Sequence, residues 1–118
     1  MTKNCCNFFR KRLSGNEMFK KLGFGIIQDN TRFGFGVEYY RYNARYGYTH
    51  RINIIYKTPL DKEPYILVQS YQYGSDAMVG LTDKEMEACM VKIKEMKKFA
   101  RKNPDVVKGV INHEEKMD

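Results

Sequence analysis

The two histidines of this 118-residue chain are the first candidates for chemistry, because imidazole acts as acid, base or metal ligand near neutral pH. His50 and His113 lie far apart in the sequence, and His50 alternates in step with Ile52 and Ile54. A side chain on the apolar side of a strand belongs to the core, so we expect His50 to be structural. The chain contains no His-Glu-x-x-His motif. The histidines therefore predict neither a metal site nor an acid–base pair.

The three cysteines give no stronger case for chemistry. Cys5 and Cys6 are adjacent, which is not the spacing of structural zinc ligands, and an odd count is no disulfide framework. Cys89 falls among apolar residues at helical spacing, where a thiol behaves as a small hydrophobic group, so we expect it to be buried and inert. This use of cysteine is typical of a reduced, cytoplasmic protein.

The carboxylates and glycines of the sequence do not form a catalytic motif. Four acidic residues of the central region are scattered over predicted strand and loops, namely Glu38, Asp61, Glu63 and Asp76. No spacing among them forces a pair of carboxylates together. Two Gly-x-Gly pairs, at residues 23–25 and 34–36, do not continue into a phosphate-binding loop that opens a helix. We predict that the protein is not an enzyme and uses no metal or cofactor.

Tyrosine and arginine give a stronger signal, and it is a signal for binding. All nine tyrosines lie between residues 33 and 73, and Arg41, Arg45 and Arg51 flank one turn among them. Tyrosine beside arginine can stack bases and neutralise phosphates. The same two residue types are enriched at the hot spots of protein interfaces. A third interpretation is purely structural, with most tyrosines facing the core or the rim of the sheet.

The basic charge of the chain is concentrated at its N-terminus. The net charge is +7; residues 1–22 hold six Lys or Arg against Glu17, whereas residues 33–80 are almost balanced. Basic charge favours a polyanionic partner, although it is also an ordinary means of solubility. The predicted partner- or nucleic-acid-binding residues are Arg10, Lys11, Arg12, Arg41, Arg45, Tyr46, Tyr48 and Arg51.

A sheet must hold these residues, because aromatic and β-branched side chains suit a pleated, half-buried surface. Residues 48–57 alternate well. One side of this stretch comprises Tyr48, His50, Ile52, Ile54 and Tyr56. We predict strands at residues 23–28, 33–42, 46–57 and 65–73. Their short connections make them antiparallel neighbours in a meander.

Two capping boxes, Ser14-x-x-Glu17 and Thr82-x-x-Glu85, predict the starts of a short and a long helix. The long helix should end near residue 102, before Asn103-Pro104. Its predicted buried face comprises Met86, Cys89, Met90, Ile93, Met96, Phe99 and Ala100. The sequence thus predicts an α+β domain at residues 14–103, a four-stranded antiparallel β-meander with one long C-terminal helix packed on one face and a short N-terminal helix. A basic arm occupies residues 1–13 and a tail residues 104–118.

Two stretches that flank the tyrosine-rich strands carry a resemblance. They are Ser14-x-x-Glu17-Met18-Phe19-x-x-Leu22-Gly23-Phe24 and Val79-Gly80-Leu81-Thr82-x-x-Glu85. Over residues 14–97 the chain resembles small uncharacterised accessory proteins of phages and mobile elements of low-GC Gram-positive bacteria, from which its basic arm and extended tail depart. The resemblance implies a dispensable accessory protein whose roles include inhibition of host defence, as anti-CRISPR proteins do. It implies no catalytic residues.

At the level of topology, the chain is also similar to single-stranded DNA-binding domains of the transcriptional-coactivator type, in which four strands lead into one helix. We predict a non-enzymatic accessory protein that binds a nucleic acid or a host protein complex that handles nucleic acid.

Two alternatives remain open for the function. One is a single-stranded DNA- or RNA-binding module in the element's own replication or transcription. The other is a sponge that holds a small nucleotide signal with tyrosine and arginine, in a pocket or a dimer interface. No apolar run approaches the ~20 residues of a membrane span, so we expect no membrane partner. Assembly as a homodimer is left open.

Overall fold

The four predicted strands form a single antiparallel sheet in a computed structural model that describes residues 12–29 and 34–105. The elements in chain order are α1 (Gly15–Lys21), β1 (Gly25–Asp29), β2 (Gly34–Asn43), β3 (Tyr48–Lys57), β4 (Tyr65–Gln72) and α2 (Asp83–Lys102). The strand order is β1-β2-β3-β4, which confirms the predicted meander and α+β class. Observed strand ends lie within two residues of the predicted ones.

Several residues singled out in the sequence lie outside the described residues. They are Cys5, Cys6, Arg10, Lys11, Phe33 and His113. The same holds for most of the predicted arm and for all but two residues of the predicted tail. The described helices and strands all fall between residues 14 and 103.

Alternation along the strands sorts their side chains onto two faces. On one face of β3, His50, Ile52 and Ile54 are buried, and Val37 and Tyr39 of β2 lie beside them. Both helices cover this side, which we call the core face. Phe19 of α1 stacks on Tyr39 with ring centroids 3.8 Å apart, so the short helix is held by packing.

Both helices begin with the predicted capping box. At α2, the Thr82 hydroxyl accepts a hydrogen bond from the Glu85 amide, and the Glu85 carboxylate accepts one from the Thr82 amide. The two helices then meet at Gly15, where a Cβ would sit 2.8 Å from the Cβ of Lys92. This close approach requires a residue without a side chain, and it lets the Gly15 amide donate to Glu95 Oε2 at 3.0 Å.

The buried face of α2 differs from the predicted one. The buried residues of the helix are Glu85, Ala88, Cys89, Met96 and Ala100. Met86 and Met90 are each 54% exposed, so their predicted place in the core is wrong, and Phe99 is largely exposed although its ring contacts Phe35. The helix is rotated because Glu85 turns inward to an arginine of β2, and because small alanines allow closer packing on the sheet.

Candidate interaction surface

The second face of the sheet lies opposite both helices, and no described element covers it. We call it the open face. It comprises Ile27, Glu38, Tyr40, Tyr42, Thr49, Arg51, Asn53, Ile55, Leu67, Gln69 and Tyr71, which share this side by strand pairing and alternation. Ile27, Tyr40 and Tyr42 are exposed. This face therefore carries tyrosines and Arg51 together with aliphatic side chains.

Arg51 is fixed at the centre of the open face. Its Nη1 atom donates to both carboxylate oxygens of Glu38, at 2.9 and 3.1 Å. Its guanidinium carbon lies 4.0 Å from the ring centroid of Tyr73, a cation–π contact. The positive charge of Arg51 and the negative charge of Glu38 offset each other, so this part of the surface is nearly neutral.

The hydrogen bonds around Glu38 run in one direction. Tyr71 donates its hydroxyl proton to Glu38 Oε2 at 3.2 Å, and Asn53 Nδ2 donates to the Tyr71 oxygen at 3.4 Å. Burial, and then the charge of Glu38, raise the pKa of Tyr71, whereas the hydrogen bond from Asn53 lowers it. The phenol therefore stays protonated near neutral pH. The buried Asn53 Oδ1 atom is left without a hydrogen-bond partner among the described residues.

A half-open groove lies beside this network, along β4. It has a volume of about 550 Å³ and is lined by Asn53, Val68, Gln69, Ser70, Tyr71, Asp76 and Met78. We call it the β4 groove. The segment after β4 forms one wall because it folds back: the Gln72 amide donates to the Ala77 carbonyl at 2.8 Å, and the Val79 amide to the Ser70 carbonyl at 3.1 Å. None of the described Lys or Arg residues lines the groove.

Arg41 lies on the other side of the sheet from Arg51. It pairs across the β2–β3 ladder with His50, and its Nη2 atom bonds Glu85 Oε2 at 2.9 Å. Its Nη1 atom donates to the Leu22 carbonyl at 2.8 Å. Arg41 thus ties the end of α1 to the start of α2, which is a structural role.

The other described residues of the predicted site lie apart from both Arg41 and Arg51. Arg45 and Tyr46 are exposed in the turn between β2 and β3, with the guanidinium 5.3 Å from the ring centroid. Tyr48 lies on the side of His50, and its hydroxyl accepts from Asn43 at 3.4 Å. Arg12 is exposed ahead of α1. The structure therefore does not join Arg41, Arg45 and Arg51 into one surface.

Sequence reasoning missed four members of the network around Arg51. They are Glu38, Asn53, Tyr71 and Tyr73. The alternation along β3 did contain a signal for this network, because it places Arg51 and Asn53 on the side away from the core residues. A strand that pairs with β3 is expected to present polar partners on that side. The register needed to identify those partners is a tertiary property.

The helical layer has a different electrostatic character from the open face. Its exposed cations among the described residues are Arg12, Lys20, Lys21, Lys84, Lys94, Lys97, Lys98, Arg101 and Lys102. We call this set the basic helical layer. Its described surface contains only a few exposed carboxylates, such as Asp83 and Glu87. Cations near the end of α2 also interact favourably with the negative C-terminal end of the helix dipole.

The two reactive residue types in the core have structural surroundings. His50 is buried, and its Nε2 atom lies 2.7 Å from the Ser70 hydroxyl; desolvation lowers its pKa. Burial, and then the charge of Glu85, raise the pKa of the Cys89 thiol to about 11, which disfavours the reactive thiolate. Within residues 12–29 and 34–105, no three potential metal-ligating side chains are grouped together.

Comparison with known proteins finds no match to this chain among family models, curated proteins or solved structures. None of the described helices has the length and apolar character to cross a membrane. The function must therefore be argued from the surface itself.

Proposed function

We propose that this chain is a non-enzymatic accessory protein, of the type encoded by phages and mobile elements, that binds a host protein complex which handles nucleic acid. The open face would be its contact surface. The observation that carries this proposal is the uncovered, aromatic and charge-balanced character of that face. The resemblance of the sequence to mobile-element accessory proteins supplies the cellular context, including inhibition of host defence.

Neutralised charge favours a protein over a nucleic acid at this surface. Arg51 is already paired with Glu38, so a phosphate would have to compete with a carboxylate held by two hydrogen bonds. The exposed apolar side chains Ile27 and Tyr40 instead resemble the desolvated centre of a protein interface. Affinity for nucleic acid, in contrast, comes mainly from phosphate contacts with free cations.

The tyrosines of the open face are held in place before any partner arrives. The ring of Tyr40 lies over Gly25 of the neighbouring strand, in space that any Cβ at that position would occupy. Tyr73 is stacked against the Arg51 guanidinium. Side chains ordered in advance cost less entropy on binding, and tyrosine is a frequent hot-spot residue.

Affinity capture from a low-GC Gram-positive host lysate, with and without nuclease, tests the proposal. We expect wild-type protein to retain a protein complex after nuclease treatment. Replacing Tyr40→Ser together with Tyr42→Ser should weaken that association at least about tenfold, because each removes an exposed aromatic anchor. The matched control is Lys97→Gln with Lys98→Gln, which alters the helical layer and should retain the complex. Both variants must first show wild-type thermal unfolding.

A second candidate function is supported by the basic helical layer, whose nine exposed cations could follow the backbone of a single strand. It predicts the opposite result. Nuclease would release everything captured, the lysine variant would lose binding, and the tyrosine variant would retain it. In direct titrations, each phosphate contact would add roughly −0.7 to the slope of log affinity against log salt. The nucleotide sponge has less support, because the β4 groove contains Asp76 and, within residues 12–29 and 34–105, no cation for a phosphate.

A further inference from the structure

The β4 groove combines a cavity, an unsatisfied buried acceptor and an acidic wall. We propose that it binds a lysine or arginine side chain of the protein partner. This inference rests on the proposed function, since it assigns the groove beside the open face to one chemical group of that partner.

The direction of the hydrogen bonds identifies what the groove lacks. Glu38 can only accept, so the Tyr71 hydroxyl must donate to it and can only accept from Asn53. This fixes the Asn53 amide with its nitrogen toward Tyr71. The amide oxygen is then the end of the chain of hydrogen bonds, buried and unsatisfied. An unsatisfied buried acceptor is costly, so a donor group that reached this oxygen from the groove would lower that cost.

The charge of the lining selects a cationic donor. Asp76 contributes a carboxylate to the wall, and among the residues that the structure describes no Lys or Arg lines the groove to neutralise it. The nearest guanidinium of the network, Arg51, is bound to Glu38. A lysine or arginine supplies several donors and a positive charge, whereas a carboxylate or phosphate would meet an acceptor and a negative charge.

The dimensions of the groove suit a long side chain. Its volume of about 550 Å³ is within the range of pockets that hold small organic groups. The Tyr71 ring and the Met78 thioether give an apolar wall for the methylene stem. Met78 is 90% exposed, so it forms a movable rim rather than part of the core.

The edge of β4 offers a backbone anchor next to the groove. Ser70 and Gln72 use their outward-facing backbone groups to bond Val79 and Ala77. Because alternate residues of a strand point their backbone groups the same way, those of Val68 also face outward, and no described residue pairs with them. An extended segment of the partner could pair there and place its cationic side chain over Asn53.

Nuclear magnetic resonance titration with a small cation tests the site directly. The probe is N-acetyl-L-argininamide, and the neutral isostere N-acetyl-L-citrullinamide is its control. We expect the argininamide to shift the side-chain amide resonances of Asn53 and to bind at least fivefold tighter than the citrullinamide. Asp76→Asn should weaken argininamide binding severalfold. The control variant Asp61→Asn changes an exposed carboxylate outside the groove and should have no effect.

Three outcomes would overturn the inference. One is the absence of any shift at Asn53. Another is equal binding of the two probes, which would show that charge plays no part. The third is tighter binding of cytidine than of argininamide, which would assign the groove to a nucleobase amine. Asp76 is exposed, so its replacement should leave folding intact and keep the test valid.

The captured host complex separates failure of this inference from failure of the proposed function. If Tyr40→Ser with Tyr42→Ser abolishes capture while Asp76→Asn retains it fully, the open face binds the partner and the groove does not take its cation. If neither variant affects a nuclease-resistant complex, the proposed function itself fails. We expect that the tyrosine double variant and Asp76→Asn each lose capture of the complex, and that the wild-type protein binds argininamide selectively.

Discussion

Ile54 and Ile55 are neighbours on β3, yet Ile54 lies on the core face of the sheet and Ile55 on the open face. Ile54 is fully buried beneath the helices, whereas Ile55 is half-exposed on the open face. The core face is maintained by apolar packing between helices and sheet. The open face is maintained by an ion pair and by hydrogen bonds between neighbouring strands. The fold therefore depends on the first face, and the second is available for a partner.

The two arginine ion pairs show the same contrast. Arg41 and Arg51 each lie 2.9 Å from a glutamate, but Arg41–Glu85 joins a strand to α2, whereas Arg51–Glu38 joins two adjacent strands. Glu85 is buried, so its pair is part of the interior. The outer side of the Arg51 pair is covered only by Tyr73 among the described contacts. The same kind of Arg–Glu ion pair thus attaches a helix to the sheet on the core face and links two neighbouring strands on the open face.

The largest expected effect separates the two faces on one strand. Ile54→Asp would bury an unpaired carboxylate, which costs several kcal/mol and should abolish the folded state. Ile55→Asp should cost about 1 kcal/mol, since its side chain can reach water. Urea unfolding followed by circular dichroism measures both. Equal loss of structure in the two variants would mean that the open face is covered and that the contrast is incorrect.

The second effect compares arginines. Arg41→Met should destabilise the fold by about 2 kcal/mol, because it leaves Glu85 buried without its partner; the cost is moderated by the 37% exposure of the Arg41 side chain. Arg45→Met, in the exposed turn, should change the free energy of unfolding by less than about 0.5 kcal/mol. Chemical denaturation of the two variants gives the comparison. Similar values would remove the structural role assigned to Arg41.

The third effect is a pH dependence confined to the core face. Desolvation lowers the pKa of folded His50, Glu85 acts to raise it and Arg41 to lower it, so the unfolded chain binds more protons below a pH of about 6.5. Stability should therefore rise with pH through this window and fall on acidification, by at most about 1.4 kcal/mol per pH unit. Urea midpoints at pH 7.5 and 5.5 should differ less in His50→Gln. His113→Gln, which changes the only other histidine, should retain the wild-type difference.

The smallest expected effect refines where the core face ends on α2. Met86→Lys and Met90→Lys should each change the free energy of unfolding by less than about 0.5 kcal/mol, because both side chains reach solvent. Met96→Lys is the positive control, since Met96 is buried in the same helix and its replacement buries a charge. Thermal melts are sufficient to rank the three. A large loss from either exposed methionine would restore the helix face predicted from periodicity.

Local patterns predicted the fold well because the relevant signals are local. Alternation in residues 48–57 identified β3 and its core side, and the two capping boxes located both helix starts. Gly23, with a φ of 92°, follows α1 in the left-handed conformation that commonly ends a helix. Short connections then left few topologies other than a meander.

Two features depended on distant residues and were not predictable in the same way. Periodicity wrongly placed Met86 and Met90 in the core. The helix instead buries Glu85, and that burial depends on an ion pair with Arg41, which is 44 residues away and is not visible in the local pattern. The arginines were grouped by proximity to one turn, but strand register places Arg41 opposite His50 and Arg51 opposite Tyr40. Adjacent positions in a hairpin can thus belong to opposite faces of a sheet.

The position of α2 as the last described element affects how the protein is made. All four strands leave the ribosome before the helix that covers Ile52 and Ile54, and about 30 residues separate the end of β4 from the end of α2. At synthesis rates of about 5–20 residues per second, the nascent sheet waits roughly two to six seconds for its cover. Phe19 can shield Tyr39 during that interval, but the rest of the core face is exposed to association. Folding in the cell should therefore depend on chaperones that bind this apolar face until α2 arrives.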